Sequence, residues 1–433
     1  MRKQQVGICL LLCGSLARLV SASGIDTYAS GFYTRGVDAA LYVDREDSAL
    51  APYHVPIGPR LVLLPRITIS AAFEDNPTLS SGTPERAETV YVVPGIMLLY
   101  GRPDRNHVYA DAGMIIPLRS SDETLDEKPS YMLAVGGWYR TGRSSIHLRT
   151  GYRRLESVDT LVGARIVKTD YTGGLNMERR VSTKTSVGLL GSVAFHDYED
   201  DQYIDYRRYY GGARVYYRIT RKSDVFAQFG MGRDDLQQAT GTRGDADFYD
   251  VSIGLRGKQS PKTHVAGRIG YRWRQPVDAE LEDVNHYIAA LNAETTPLGL
   301  TTFTGGLAAD IRPSSTDDGA VTVDQRATVG ASRRIVSERV RGHAALFYGL
   351  VDYYGEDGRP VDVRDDRPPV VDGREDYYWG YSFGVDWWLK HNFSFGVSYS
   401  YFENVGSRGG SEAEQEQTAY TSGRWALRAS WNY

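Results

Sequence analysis

Ten arginines stand on one side of segments in which polar and apolar residues alternate: Arg149, Arg153, Arg214, Arg256, Arg268, Arg272, Arg326, Arg341, Arg424 and Arg428. Five acids share that side: Asp111, Asp170, Asp250, Asp310 and Asp386. Guanidinium groups so spaced can do two things. They pair with carboxylates on neighbouring strands and stiffen a wall, or they set a field that selects charged solutes and hydrogen-bonds sugar hydroxyls. Aromatic doublets (Tyr209-Tyr210, Tyr216-Tyr217, Tyr377-Tyr378 and Trp387-Trp388) accompany them. Successive side chains on a strand point to opposite faces, so one ring of each doublet joins the arginine face. Such rings either form girdles at membrane interfaces or offer flat apolar faces to sugars.

Catalytic chemistry is not written in the same residues. His196-Asp197 is the nearest thing to a catalytic pair, expected in a loop where adjacent side chains point apart, and no serine nucleophile motif accompanies it. No H-E-x-x-H, Walker loop, paired-cysteine metal site or EF-hand spacing occurs. Gly211-Gly212 and Gly305-Gly306 lie inside strand patterns, where they relieve crowding and do not cradle phosphate. The expectation is a protein with no catalytic residues, cofactor or bound metal.

The elements that must position these side chains are strands. Between His264 and Arg274, Val265, Gly267, Ile269, Tyr271 and Trp273 alternate with His264, Ala266, Arg268, Gly270, Arg272 and Arg274. No soluble core would take that second face, whereas a water-filled lumen would. Similar segments begin at about Arg66 to Glu74 and recur along the chain, and eighteen can be counted. The weakest is His286 to Glu294, and since single-chain bacterial barrels have an even number of strands, sixteen is the alternative. Connections alternate in length. Short basic ones (Arg140 to Ser144, Arg218 to Asp224, Gly257 to Thr263) are separated by long ones (Leu118 to Pro129, His196 to Tyr206, Arg233 to Ala246, Tyr354 to Asp376, Glu403 to Thr418). The long ones are rich in acids, which attract cations or bridge lipopolysaccharide through divalent ions. The pattern predicts an all-β protein, a transmembrane antiparallel up-and-down β-barrel with short periplasmic turns and long extracellular loops.

Both ends of the chain agree with that compartment. Thr421 to Tyr433 puts Trp425, Leu427, Ala429, Trp431 and Tyr433 on one face and Arg424 and Arg428 on the other. It resembles the C-terminal sorting strand that the barrel assembly machinery of the bacterial outer membrane recognises. Arg2 and Lys3 precede the apolar run Val6 to Leu12, and Val20 to Ser23 supplies small residues, so residues 1–23 read as a cleaved signal peptide. Residues 24–59 alternate poorly and read as a periplasmic arm or partial plug, leaving 60–433 for the barrel. Cys9 and Cys13 both fall in the signal, which excludes disulfides from the mature chain. Removing three basic residues with the signal takes the formal net charge from −4 to −7, against nucleic-acid binding. No later stretch approaches the ~18 apolar residues of a membrane helix. The mean hydropathy of −0.40 with 31 tyrosines and 46 glycines suits alternating faces that cancel in any average.

The chain resembles the beta-barrel porin 2 group of outer-membrane proteins. The resemblance rests on Gly58-Pro59 and Pro65 before the first strand, its Glu74-Asp75-Asn76 end, the following Val92-Val93-Pro94-Gly95, short basic turns and the terminal aromatic. It implies an exopolysaccharide-export conduit working with a periplasmic polysaccharide-export protein, and no catalytic residues to carry over. Asp75 and Asn76 match the family's most recognisable turn and are expected to cap local backbone donors. Two other functions suit the same strands: a diffusion porin for small solutes, with Tyr354 to Asp376 folded in as a constriction, or a closed structural or adhesive barrel acting through its acidic loops. The expected partners are outer-membrane lipid, lipopolysaccharide and a permeating polysaccharide or small solute.

Overall fold

Period-2 alternation with few prolines dictates extended chain, and short polar turns with glycine return it antiparallel. The computed structural model describes residues 55–57, 60–76, 86–102, 106–120, 128–159, 164–200, 203–237, 245–277, 283–314, 321–336, 339–354, 375–390, 392–408 and 419–432. Residues 1–23, expected to be a signal peptide, most of the expected 24–59 arm, most of the acidic loop residues and Tyr433 lie outside them. A two-residue bridge, β1 (Val55–Pro56), precedes eighteen long strands. These are β2 (Leu61–Glu74), β3 (Ala87–Gly101), β4 (His107–Ser120), β5 (Ser130–Arg140), β6 (Ser144–Asp159) and β7 (Ala164–Arg180). Next come β8 (Thr185–Tyr198), β9 (Asp205–Thr220), β10 (Ser223–Gln237), β11 (Ala246–Ser260), β12 (Thr263–Pro276) and β13 (Val284–Thr295). The last six are β14 (Thr301–Pro313), β15 (Val321–Val336), β16 (Val340–Tyr354), β17 (Glu375–Lys390), β18 (Phe393–Arg408) and β19 (Tyr420–Asn432). Each pairs antiparallel with the next, and β19 pairs with β2, so the sheet closes on itself and leaves no edge.

Eighteen strands is the expected count, and the weakest expected segment is β13. The strands run 11 to 17 residues, longer than the roughly 9–11 needed to cross a bilayer at a 45° tilt. That excess moves several expected boundaries. His196 and Asp197 sit within β8 and not in a loop, and β10 and β18 run on to Gln237 and Arg408. Alternation weakens where a strand leaves lipid, because water on both sides no longer demands an apolar face.

Register separates the two faces. Ile67, Ile69, Phe73, Leu133, Leu148, Leu189, Phe229, Ile253, Ile269, Leu346, Val397, Trp425 and Leu427 are exposed on the outside. Exposed apolar residues around a whole barrel are in their proper solvent only if that solvent is lipid. Outward aromatics touch across strands, as in Tyr152–Tyr171 at 5.0 Å, Trp379–Tyr401 at 5.4 Å and Tyr399–Trp425 at 4.8 Å between ring centroids. The four doublets straddle the wall. Tyr209, Tyr217, Tyr377 and Trp387 face out, and Tyr210, Tyr216, Tyr378 and Trp388 face in.

The Glu74-Asp75-Asn76 end does its work across the closure, not locally. Asp75 Oδ1 accepts from the Gly423 amide at 2.5 Å, the Asp75 amide donates to Gly423 O at 3.0 Å, and Asn76 Nδ2 donates to Thr421 O at 2.8 Å. Ser422 Oγ donates to Glu74 Oε1 at 3.3 Å. The motif thus staples the outer end of the first long strand to the last, where the ladder itself stops at Arg424 and Glu74. Short polar side chains were expected to bond their own turn; closure supplies better partners 345 residues or more away. At the opposite end Gly101 has φ +107°, and a Cβ there would lie 2.3 Å from Asn106 O, so the turn after β3 requires glycine.

Candidate functional site

The inner face is the candidate site, and strand register alone assembles it. All ten arginines and all five aspartates of the pattern occupy inward positions. The structure divides them into separate clusters around the wall.

Beside the closure, Arg66 makes a two-pronged pair with Asp111, Nη1 to Oδ2 at 3.1 Å and Nη2 to Oδ1 at 2.8 Å. Arg66 reaches from β2 over β3 to β4, and only the missing Cβ of Gly95 lets it pass, since a Cβ there would sit 2.6 Å from Arg66 Nε. Arg149 lies further along the inner face on β6, opposite Gly136 and Gly174. Across β6 to β8, the buried Asp170 accepts from Arg153 Nε and from His196 Nδ1, the latter at 2.6 Å. His196 also stacks on Tyr206 with centroids 4.4 Å apart. Its acid partner is therefore Asp170, directly opposite it on β7, and not its sequence neighbour Asp197.

A larger cluster spans β9 to β12. Arg214 Nε donates to Gln228 Oε1, Gln228 Nε2 donates to Tyr210 Oη at 2.5 Å, and Tyr210 Oη donates to Asp250 Oδ1 at 3.2 Å. Asp250 Oδ2 accepts from Arg272 Nη2 at 3.3 Å. Arg256 lies 3.8 Å over the Tyr216 ring and binds Glu178 and Asp224. Near β16 to β19, Arg428 Nη2 donates to Asp386 Oδ1 at 2.6 Å, with His343 Nδ1 3.6 Å from the other oxygen. Arg424 stands 3.8 Å from Glu74 and over the Tyr91 ring. Arg268 projects from β12 beside the β9 to β12 cluster, opposite Gly254 and Ala290.

Arg214, Arg326 and Arg341 have no carboxylate within 4 Å among the described residues. They lie instead over Phe226, Phe347 and Trp388, at 5.1, 5.1 and 5.4 Å. Arg214 keeps Nη1 and Nη2 without hydrogen-bond partners. A guanidinium on an aromatic face keeps a positive field that no carboxylate beside it cancels.

Sequence reasoning missed Arg208 and Asp234, which join the β9 to β12 cluster together with Arg274, a residue the alternation had already put on the lumen face. Arg208 Nε and Nη2 donate to Asp234 at 2.7 and 3.0 Å, and Arg274 Nε lies 3.7 Å from the same acid. All three stand on the inward parity of strands whose other members were recognised. Arg208 and Asp234 fell next to expected loops, and the longer strands bring them in. Of the C-terminal strand, Trp425 and Leu427 face lipid and Trp431 pairs with Ile67 and Phe393.

A closed antiparallel barrel with a lipid-facing apolar band and a charged interior is the architecture of an outer-membrane β-barrel. The chain belongs to the family described as "Putative beta-barrel porin 2", whose sequence profile matches residues 55–420. A comparison with curated proteins finds no match. Among solved structures the chain is similar to OccAB4 of Acinetobacter baumannii, at 10% identity and a TM-score of 0.44, covering 86% of this chain and 98% of that one. It is similar as well to the outer-membrane protein OpdK of Pseudomonas aeruginosa (12% identity, TM-score 0.42, 86% and 99% covered). The siderophore receptor PirA of Pseudomonas aeruginosa shows 9% identity and a TM-score of 0.40, with 87% and 81% covered. Family and fold are those of an outer-membrane β-barrel porin.

Proposed function

We propose that the protein is a diffusion porin for small solutes and that its lumen favours anions. The observation that carries the reading is the inner-face guanidinium set without carboxylate partners: Arg214, Arg326 and Arg341. Inside a low-dielectric wall their field is weakly screened, so an entering anion is stabilised and a cation repelled.

The same observations count against an exopolysaccharide conduit. A polymer needs a wide lumen with bare aromatic faces. Here Arg256 covers Tyr216, Tyr210 fills the space over Gly230, and Tyr378 donates to Asp324 at 3.1 Å. Arg214, Gln228, Phe248 and Asp250 are almost wholly buried in the interior. Insertion would rest on the barrel assembly machinery reading the C-terminal strand, with lipid and lipopolysaccharide around the wall.

Swelling of liposomes that hold the purified barrel tests this reading. Small carboxylates should enter faster than neutral sugars of equal size, and oligosaccharides should be excluded. Rapid entry of oligosaccharides would overturn it in favour of the polymer conduit.

A further inference from the structure

The wall has one lapped seam. β13 pairs with β12 from Thr295 to Val284, but its pairing with β14 ends at Ala289 and Ala309. β14 continues with β15 to Pro313 and Val321. The outer end of β14–β15 has therefore left β13. Ile311, Val321 and Val323 stand on the parity that faces lipid lower down, at Leu307 and Val329, yet each is at most 1% exposed and packs on Val284 of β13. Val284 lies on the inward parity of β13, opposite to the exposed Tyr287 and Leu291. A lipid-parity face meets an inward residue only where the segment folds inside the wall, and Arg312 on its other side is 46% exposed.

What holds this end in the lumen is polar. The Ile311 carbonyl, which β13 would serve in an unbroken ladder, accepts instead from Arg208 Nη2 at 3.0 Å across the lumen. Arg272 Nη1 donates to Asp310 Oδ1 at 2.6 Å, and Arg208 Nη1 lies 3.6 Å from Asp310 Oδ2. Both guanidinium groups rest on one ring, 5.3 and 4.7 Å from the Phe248 centroid. Each also has a fully buried acid of its own, Asp234 for Arg208 and Asp250 for Arg272. Asp310 differs from those two. Its side chain is 33% exposed, so its place is open to the lumen.

We propose that Arg208 and Arg272, on their Phe248 floor, form a binding site for the carboxylate of a small anionic permeant, a site that Asp310 occupies at rest. An entering carboxylate takes the donors that Asp310 holds, and the end of β14 loses its tie to the far wall. This deepens the porin reading and rests on it for the identity of the ligand as a permeant. The preference for carboxylate follows from the two forks, which match a planar pair of oxygens and already hold one.

Cys9 and Cys13 both fall in residues 1–23, so in a barrel folded without those residues Ile311→Cys reports the position of this end through its reaction with a maleimide in detergent. Labelling should be slow at rest. Succinate, or the added change Asp310→Asn, should speed it about tenfold, the effect of losing one charge-assisted hydrogen bond on a local opening. Chloride at equal ionic strength should not. Val323→Cys, in the same cluster, serves if the first variant does not fold. Labelling indifferent to succinate and to Asp310→Asn overturns the proposal even if the barrel conducts. Labelling that responds to succinate in a barrel that passes no solute keeps the site and removes the porin reading.

Discussion

Replacing Leu427 with arginine places a charge where the account puts lipid. Leu427 lies next to the midpoint of β19, faces outward between Ala71 and Val397, and is 50% exposed. An arginine at the bilayer midplane of a barrel wall costs about 2–4 kcal/mol, roughly 30- to 1,000-fold in the folding equilibrium. Thr421 is the control. It faces outward on the same strand, opposite Glu403. Six residues of tilted strand carry it roughly 14 Å along the membrane normal, beyond half of the ~25 Å apolar band. Arginine there should cost about 0–1 kcal/mol. Urea unfolding of the barrel in phospholipid vesicles, followed by tryptophan fluorescence, measures both. Equal costs at the two positions, or none at Leu427, would refute the assignment of this face to lipid.

Three further predictions follow the same reasoning. Asp111→Ala leaves Arg66 without its acid beside a closed wall and should destabilise the barrel by roughly 1–3 kcal/mol in the same urea assay; an unchanged midpoint would show that the pair adds nothing. Deleting Trp431 to Tyr433 removes the ladder end that pairs with Ile67 and Phe393, so heat-resistant mobility on gels should be lost, and its retention would contradict the sorting role. Burial opposes ionisation of Glu199, but donors from Arg154 and Lys128 outweigh it and hold its carboxyl below the ordinary glutamate range. A depressed folded-state pKa contributes stability that is present above the unfolded value and lost as pH falls through the folded one. Protection factors around Glu199, that is, exchange rates divided into the base-catalysed intrinsic rate at each pH, should therefore fall only on acidification below the glutamate range, and a fall on alkalinisation would reverse the sign.

The barrel was legible because lipid and lumen impose opposite demands on alternate residues. Val265 to Arg274 shows both demands in ten residues, and short turns alternating with long connections marked the antiparallel hairpins. The ends of strands were less legible. Past the bilayer nothing selects an apolar face, so His196, Asp234 and Arg408 read as loop while the ladder carries them on. The pattern also places a residue on a face without naming its partner. His196 meets Asp170, Arg208 meets Asp234 and Asp310, and Asp75 meets Gly423 only because of the register and closure of the whole sheet. The lapped seam had no local signal at all: β14 and β15 alternate as other strands do, and their inward fold depends on Arg208 five strands away.

The central claim is that the lumen is a small-solute pore with a bias towards anions. The reversal potential of the purified barrel in a planar bilayer under a salt gradient tests it most directly. The account predicts discrete conductance steps and a potential of the sign set by anions, moved towards zero when Arg326 and Arg341 are replaced by glutamine. A cation-selective potential, or a folded barrel that never conducts, would contradict it.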